Sequence, residues 1–319
     1  MSQFKWSHNS LCSLALLSFV VLLALSFQLA AAEASRKAFA TPEDAVKSLV
    51  DAVKANDEQE LISILGPSLK EWIESGDPIA DREAREKFVA DYEQNKEIDT
   101  SEAGKAILVI GEDEFPFPIP LVKTNDQWTF DPEQGKQEII DRRVGTNELD
   151  TIETLLAIVD AQNDYAELNP LGKGAPEYAR RFISSPGKHD GLYWPSNRSE
   201  AQSPLGTLVA EAATAGYQPT TEGGESSKNP YHGYYFRMLT AQGSHAPGGA
   251  YSYLVNGRMI GGFAVIAWPA KYGASGYKTF MINQDQTVYE TDLGTNTAAE
   301  VKKIRTFDPD KSWKRIDTN

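Results

Sequence analysis

The densest apolar stretch of the chain runs from Leu11 to Phe27, behind Lys5 and ahead of Ala30-Ala31-Ala32. A basic start, an apolar centre and small residues at its end predict a secretory signal peptide over residues 1–32, cut after Ala32. Ala30 and Ala32 supply the small side chains that a signal peptidase accepts, and Glu33-Ala34-Ser35-Arg36-Lys37 beyond them is polar and unpatterned. A retained anchor is the alternative, because a run of about 17 apolar residues stands at the short limit of a membrane span.

Beyond the leader the hydrophobic period is helical. Thr41 followed by Pro42, Glu43 and Asp44 predicts an N-cap, a proline at the first helical position and acids against the positive helix end. Ala45, Val46, Leu49, Val50 and Val53 then recur on one face. A second short helix carries Leu61, Ile62 and Leu65 and stops at Gly66-Pro67. A third covers about 81–95, with Ala84, Phe88, Val89 and Tyr92 inward. The period then shortens. Ala106 to Ile110 is an apolar run, and three prolines confine Phe115 to Pro120 to an extended edge. Leu121-Val122-Lys123, the turn Asn125-Asp126 and Gln127 to Phe130 predict a hairpin.

The second half opens with a helix over about 147–168, with Ile152, Leu155, Leu156, Val159 and Ala166 as its buried stripe. A loop-rich stretch follows, then a short helix over 204–215 and a polar insertion, Thr220 to Asn229. Tyr234 to Leu239, Gly262 to Pro269, Thr279 to Asn283 and Thr287 to Glu290 read as strands of an antiparallel meander. The fold class is therefore α+β: helices with a curved antiparallel sheet over residues 33–146, then a helix with a meander over 147–319.

Composition supports that division. Between Glu33 and Asp150 there are 28 acidic and 14 basic residues, and after Asp150 there are 17 and 16. Tyrosine runs the other way, with only Tyr92 before Asp150 and 12 of 13 after it. An acidic first half without a polybasic run argues against nucleic acid and anionic membrane surfaces as partners. Cys12, in the leader, is the only cysteine, so the mature chain has no disulfide, thiol nucleophile or thiolate metal site.

Several segments resemble known families. The helices followed by a curved sheet are similar to the cystatin-like, nuclear-transport-factor-type cone, which implies a pocket between helix and sheet; here its groups would be Trp72, Asp91, Tyr92 and Trp128. The helix ending in Asp160-Ala161-Gln162-Asn163-Asp164-Tyr165, then Gly233-Tyr234-Tyr235-Phe236, Trp268-Pro269 and Phe280 to Asp285, resembles the globular head of type IV pilin-like proteins. Its helix is amphipathic and follows a whole domain, unlike a pilin's long apolar one, so this resemblance implies a pilin-head fold used as a soluble module. Ser75-Gly76-Asp77-Pro78, the Phe115 to Leu121 run, Arg142-Arg143-Val144-Gly145, Asp160-Ala161-Gln162, Gly233-Tyr234-Tyr235-Phe236 and Gly261-Gly262-Phe263 together resemble an uncharacterised bacterial family, domain of unknown function 2950, over about Phe39 to Asp317. That resemblance implies a secreted protein of the bacterial envelope and brings no catalytic residues.

Candidate chemistry is sparse. His189, His232 and His245 lie in loops of the second half, where two of them with Asp190 would suit a metal, but none has the i,i+4 spacing of a helical metal pair; roleless loop histidines are the other reading. Ser185-Pro186-Gly187-Lys188 has the Ser-x-x-Lys spacing of penicillin-recognising enzymes, yet its proline and glycine predict a turn where those enzymes need a helix start. No nucleophile elbow, phosphate loop or dinucleotide fingerprint occurs. Arg142-Arg143 reads as an offset to a helix C-terminus. The loop Gly243 to Tyr251, read as exposed, offers His245 and Tyr251, which with Tyr193, Trp194 and Tyr231 would form an aromatic binding surface; a hairpin connection packing its own tyrosines is the alternative. The expectation is a periplasmic or secreted, non-enzymatic interaction module without cofactor or metal, contacting an envelope protein or cell-wall component, with no membrane span after leader cleavage and no specified oligomeric state. The rival is a ligand-binding or hydrolytic cone in the first half.

Overall fold

The computed structural model describes residues 36–67, 74–172, 174–196, 201–217 and 229–317. The leader, its cleavage position, Trp72, the insertion 220–228 and Asn197-Arg198-Ser199 lie outside the described residues. The described residues form two compact units: one of 36–67 with Val89–Gly135, the other of 74–88 with those from Lys136 onward. Residues 74–88, which the compositional division puts in the first half, group with the second.

In the first unit, α1 (Pro42–Ala55) starts as its cap predicts, with the Asp44 amide donating to Thr41 Oγ1 at 3.1 Å. It buries Ala45, Val46, Leu49 and Val50, while Val53 is half-buried. The second helix, α2 (Glu58–Leu65), is capped by Asp57 and ends at Gly66, whose φ of 98° suits glycine. Strands β1 (Lys96–Asp99), β2 (Lys105–Ile110), β3 (Phe115–Pro116), β4 (Leu121–Thr124) and β5 (Gln127–Phe130) pair antiparallel in the order β1-β2-β4-β5, with β3 beside β2. Positive φ at both Asn125 and Asp126 gives the β4–β5 hairpin the primed turn that matches strand twist. Ala106, Leu108 and Ile110 alternate inward on β2 and join Leu49, Ile64, Ile119, Leu121 and Phe130, all at most 2 % exposed. These side chains form the buried core of the first unit.

The third helix, α3 (Pro78–Gln94), begins earlier than its apolar period suggests, because Asp77 caps it: the amides of Ile79 and Ala80 donate to Asp77 Oδ1 at 3.1 and 3.2 Å. Its expected inward face is also different. Ala84 is exposed, and Phe88, Val89 and Tyr92 are only half-buried.

A second correction concerns α4 (Pro132–Leu168), one 37-residue helix where the period predicts a start near 147. Arg142 and Arg143 lie inside it and offset no C-terminus. Arg143 Nε donates to the Ala274 carbonyl at 2.8 Å, and Arg142 pairs with Glu138 one turn back. Just beyond Gly145, the Asn147 amide nitrogen donates to the Ser275 carbonyl, and the Glu148 carboxylate accepts from the amides of Tyr277 and Lys278. These distant partners offset the helix cost of a mid-helix glycine, about 1 kcal/mol. The buried stripe holds Leu155 and Val159 as expected, but it continues through Ile158, Ala161, Gln162 and Tyr165, leaving Ile152, Leu156 and Ala166 half-buried.

The remaining elements are α5 (Gly206–Ala215), β6 (Tyr234–Leu239), the short strands β7 (Ala241–Gln242), β8 (Tyr251–Ser252), β9 (Leu254–Val255) and β10 (Arg258–Met259), then β11 (Ala264–Pro269), β12 (Lys278–Asn283), β13 (Val288–Asp292), α6 (Thr297–Val301) and β14 (Lys314–Ile316). The predicted meander is present: an antiparallel sheet in the order β14-β13-β12-β11-β6. Register assigns its faces, since directly opposed residues share one. Met238 opposes Val265 and Val265 opposes Ile282; the sulfur of Met238 lies 3.7 Å from Gln162, so this face covers α4. On the other face Tyr235 opposes Trp268, and Arg237 donates to the carbonyls of Val301 and Ile304 at 2.9 and 2.6 Å, pinning α6. Covered on both faces, β11 buries five of its six residues.

Candidate functional site

Between α4 and α5 the chain folds back on itself in a double arm. The Leu192 amide donates to the Arg181 carbonyl (3.0 Å), the Tyr193 amide to Phe182 (2.9 Å) and the Ser184 amide to Tyr193 (2.8 Å). Gly191 lies at the closest approach: a Cβ there would stand 2.7 Å from the backbone of Ile183 and Ser184. At the tip, Ser185-Pro186-Gly187-Lys188 closes with the Lys188 amide donating to the Ser185 carbonyl at 2.9 Å. Gly187 has φ 70°, and with proline before it the turn is type II. The predicted turn, rather than a helix start, is what Ser-x-x-Lys forms here.

Three groups hold this tip in place. Both Asp190 carboxylate oxygens are occupied by Ser185, one accepting from its amide (2.7 Å) and one from its hydroxyl (2.9 Å). The Ser184 hydroxyl oxygen accepts from the Gly191 amide at 3.0 Å. From α4, the buried Tyr165 hydroxyl donates to the His189 carbonyl at 2.7 Å. The His189 ring stacks on Trp194 with centroids 4.4 Å apart, and Trp194 meets Tyr165 edge-on at 6.4 Å. Burial pushes the Asp190 carboxyl up, but the two Ser185 bonds and Arg181 outweigh it, holding the group below its usual range. Tyr165 is pushed up by burial and by Glu177 and Asp190, so it remains a donor.

The result is a cleft of about 540 Å³ lined by Ile183, Ser185, Lys188, His189, Tyr193 and Trp194, among others. Its volume lies in the range of small-molecule sites, roughly 300–1,000 Å³. Its lining residues combine aromatic and proline side chains with Lys188, His189 and Tyr193, whose ammonium, ring nitrogens and hydroxyl have no hydrogen-bond partner among the described residues.

Of the residues singled out from sequence, Tyr193 and Trp194 come together here. Trp194 is 2 % exposed, so it is a wall of the cleft and not a surface anchor. Among the described residues no hydrogen bond or ring contact joins these two to Tyr231, His245 or Tyr251. Tyr231 lies on His232 (4.1 Å) and edge-on to Tyr217 (5.0 Å); its phenol is pushed up to about 12 by burial and by the charges of Glu211, Asp150 and Glu83. Tyr217 in turn donates to buried Asp77, where the Gly233 amide also donates. His245 is exposed but anchored on Asp308 through its amide (2.7 Å) and ring (3.1 Å). Tyr251, 40 % exposed, packs edge-on to buried Tyr253.

The loop 243–251 exposes Ser244, His245, Pro247, Gly248, Ala250 and Tyr251, as its glycines suggest, but it is braced from within. Gln242 Nε2 donates to the carbonyls of Pro247 and Gly249, both at 2.7 Å, and Ala246 is buried, so the segment is a braced connection between β7 and β8. The histidines do not converge: His189 has Trp194, His232 has Asp150 at 3.3 Å and His245 has Asp308. Of the first unit's candidates, Asp91 packs against Gly111, Tyr92 carries the Lys96 ammonium 4.5 Å above its ring, and the Trp128 backbone pairs with Phe39. Lys188 and His189 were visible in the sequence as members of other motifs; the turn joins them in one cleft with Tyr193. No local signal announces Tyr165 as the anchor.

No curated protein and no solved structure matched the chain in comparison. Residues 36–316 match the family described as "Protein of unknown function (DUF2950)", and the chain belongs to that family.

Proposed function

We propose that this protein is exported to the bacterial envelope and works there as a non-enzymatic binding module, holding part of an envelope protein or cell-wall component in the cleft of residues 183–195. The observation that carries the reading is a braced cleft where the Lys188 ammonium, the His189 ring nitrogens and the Tyr193 hydroxyl have no hydrogen-bond partner among the described residues. Polar groups left open beside aromatic surface recognise a ligand by orientation, and a braced backbone loses little entropy when one binds. The apolar leader and the small residues at 30–32 support export.

Deuterium exchange of the full chain, with and without solubilised envelope material, tests this. Slowed exchange in peptides covering 183–195, beyond any change over 251–260, is the expected result. Unchanged exchange across the cleft overturns the reading.

A further inference from the structure

The three open polar ends also specify a ligand class, an inference that rests on the cleft being the binding site. Lys188 brings a cation with no acid paired to it among the described residues: Asp190, two residues on, spends both carboxylate oxygens on Ser185. His189 and Tyr193 add hydrogen-bonding groups. This half of the chain does not repel an anion overall, since the acidic excess lies before Asp150 and the remainder is close to balanced.

The wall chemistry narrows the class further. Trp194 is buried and stacks on one face of His189, and Tyr193 packs in part on the core, so the accessible parts of the half-buried Tyr193 and His189 supply the ring surface, while Pro186, Gly187, Lys188 and Pro195 around them are exposed. A ligand seated here is dry on one side and wet on the other. A flat aromatic acid would leave apolar surface in water, whereas a sugar ring sets its C–H face on the aromatic side chain and keeps its hydroxyls solvated. We infer that the cleft binds an acidic saccharide, a sugar ring carrying a carboxylate, with Lys188 pairing the carboxylate and Tyr193 and His189 holding the ring.

Calorimetric titration of the full chain with a trimer of galacturonic acid, a neutral glucose trimer and an acidic pentapeptide decides it. The uronate trimer is expected to bind, more weakly in high salt, and at least about tenfold more tightly than the neutral trimer, the scale of one hydrogen bond to a charged group. Lys188→Met, which keeps the exposed stem, removes most of that difference; Tyr193→Phe weakens both sugars by a smaller factor. Far-ultraviolet circular dichroism confirms that each variant is folded. Equal binding of the two sugars, tighter binding of the peptide, or an unchanged affinity in Lys188→Met overturns the inference. If none of the three binds while envelope material still protects residues 183–195 from exchange, the saccharide assignment fails and the binding reading stands.

Discussion

Asp77 gathers several hydrogen bonds of the second unit onto one buried carboxylate. At 1 % exposure it accepts from the amides of Ile79, Ala80 and Gly233 and from the Tyr217 hydroxyl. Removing it leaves those donors unpaired, the Tyr217 hydroxyl and Gly233 amide among them buried, so Asp77→Ala is expected to destabilise the protein by roughly 3 kcal/mol in urea unfolding, from the lost helix cap and the orphaned hydrogen bonds. Asn, which keeps one oxygen as a cap, recovers part of that loss. Asp190 gives a prediction of a different kind. Its folded pKa lies below the unfolded value, so the stability it lends the tip is present above the ordinary carboxylate range and is lost as pH falls through the folded pKa. Acid titration is expected to lower the protection of the Ser185 amide, measured against its intrinsic exchange rate at each pH, before the sheet is affected, and Asp190→Asn is expected to remove that pH dependence. An acid response unchanged in the Asn variant would contradict the assignment.

At the scale of elements, glycines test the account because two of them make opposite predictions. Gly191→Ala puts a methyl group against backbone that cannot rotate away, so it is expected to cost about 1–3 kcal/mol and to open the cleft. Gly145 is exposed within α4 with nothing near its missing side chain, and Gly145→Ala is expected to stabilise by roughly 0.5–1 kcal/mol. Thermal unfolding of both variants checks the pair. The elements also show what local sequence can tell. Tyr234–Leu239 and its meander partners were legible because runs of aromatic and apolar residues are bounded by turns, and the cap at Thr41 because its partner Asp44 is three residues away. The first half of α4 was not, since Gly145 and Arg142-Arg143 mimic a helix end and the bonds that carry the helix through come from Ala274, Ser275, Tyr277 and Lys278. The site divides likewise. The Ser-Pro-Gly turn can be read directly, but Gln162, which looks like a polar interruption, is buried because it bonds both the amide and the carbonyl of Ala179. Tyr165 reaches the loop across 24 residues.

For the molecule as a whole, the net charge of −14 arises in the acidic stretch before Asp150, which favours solubility over any anionic polymer as partner to that half. Among the described residues no helix is long and apolar enough to cross a membrane. Under the proposed export, the cleft of the second unit is the proposed point of contact with an envelope ligand. The most direct measurement is photo-crosslinking in living bacteria from a reactive residue placed at Pro195, on the exposed rim, compared with one at Val255, an exposed position on β9. The account predicts a discrete envelope adduct from position 195 that disappears when Lys188→Met and Tyr193→Ala are combined, and no such adduct from 255. Adducts from both positions alike, or none from 195, would contradict it.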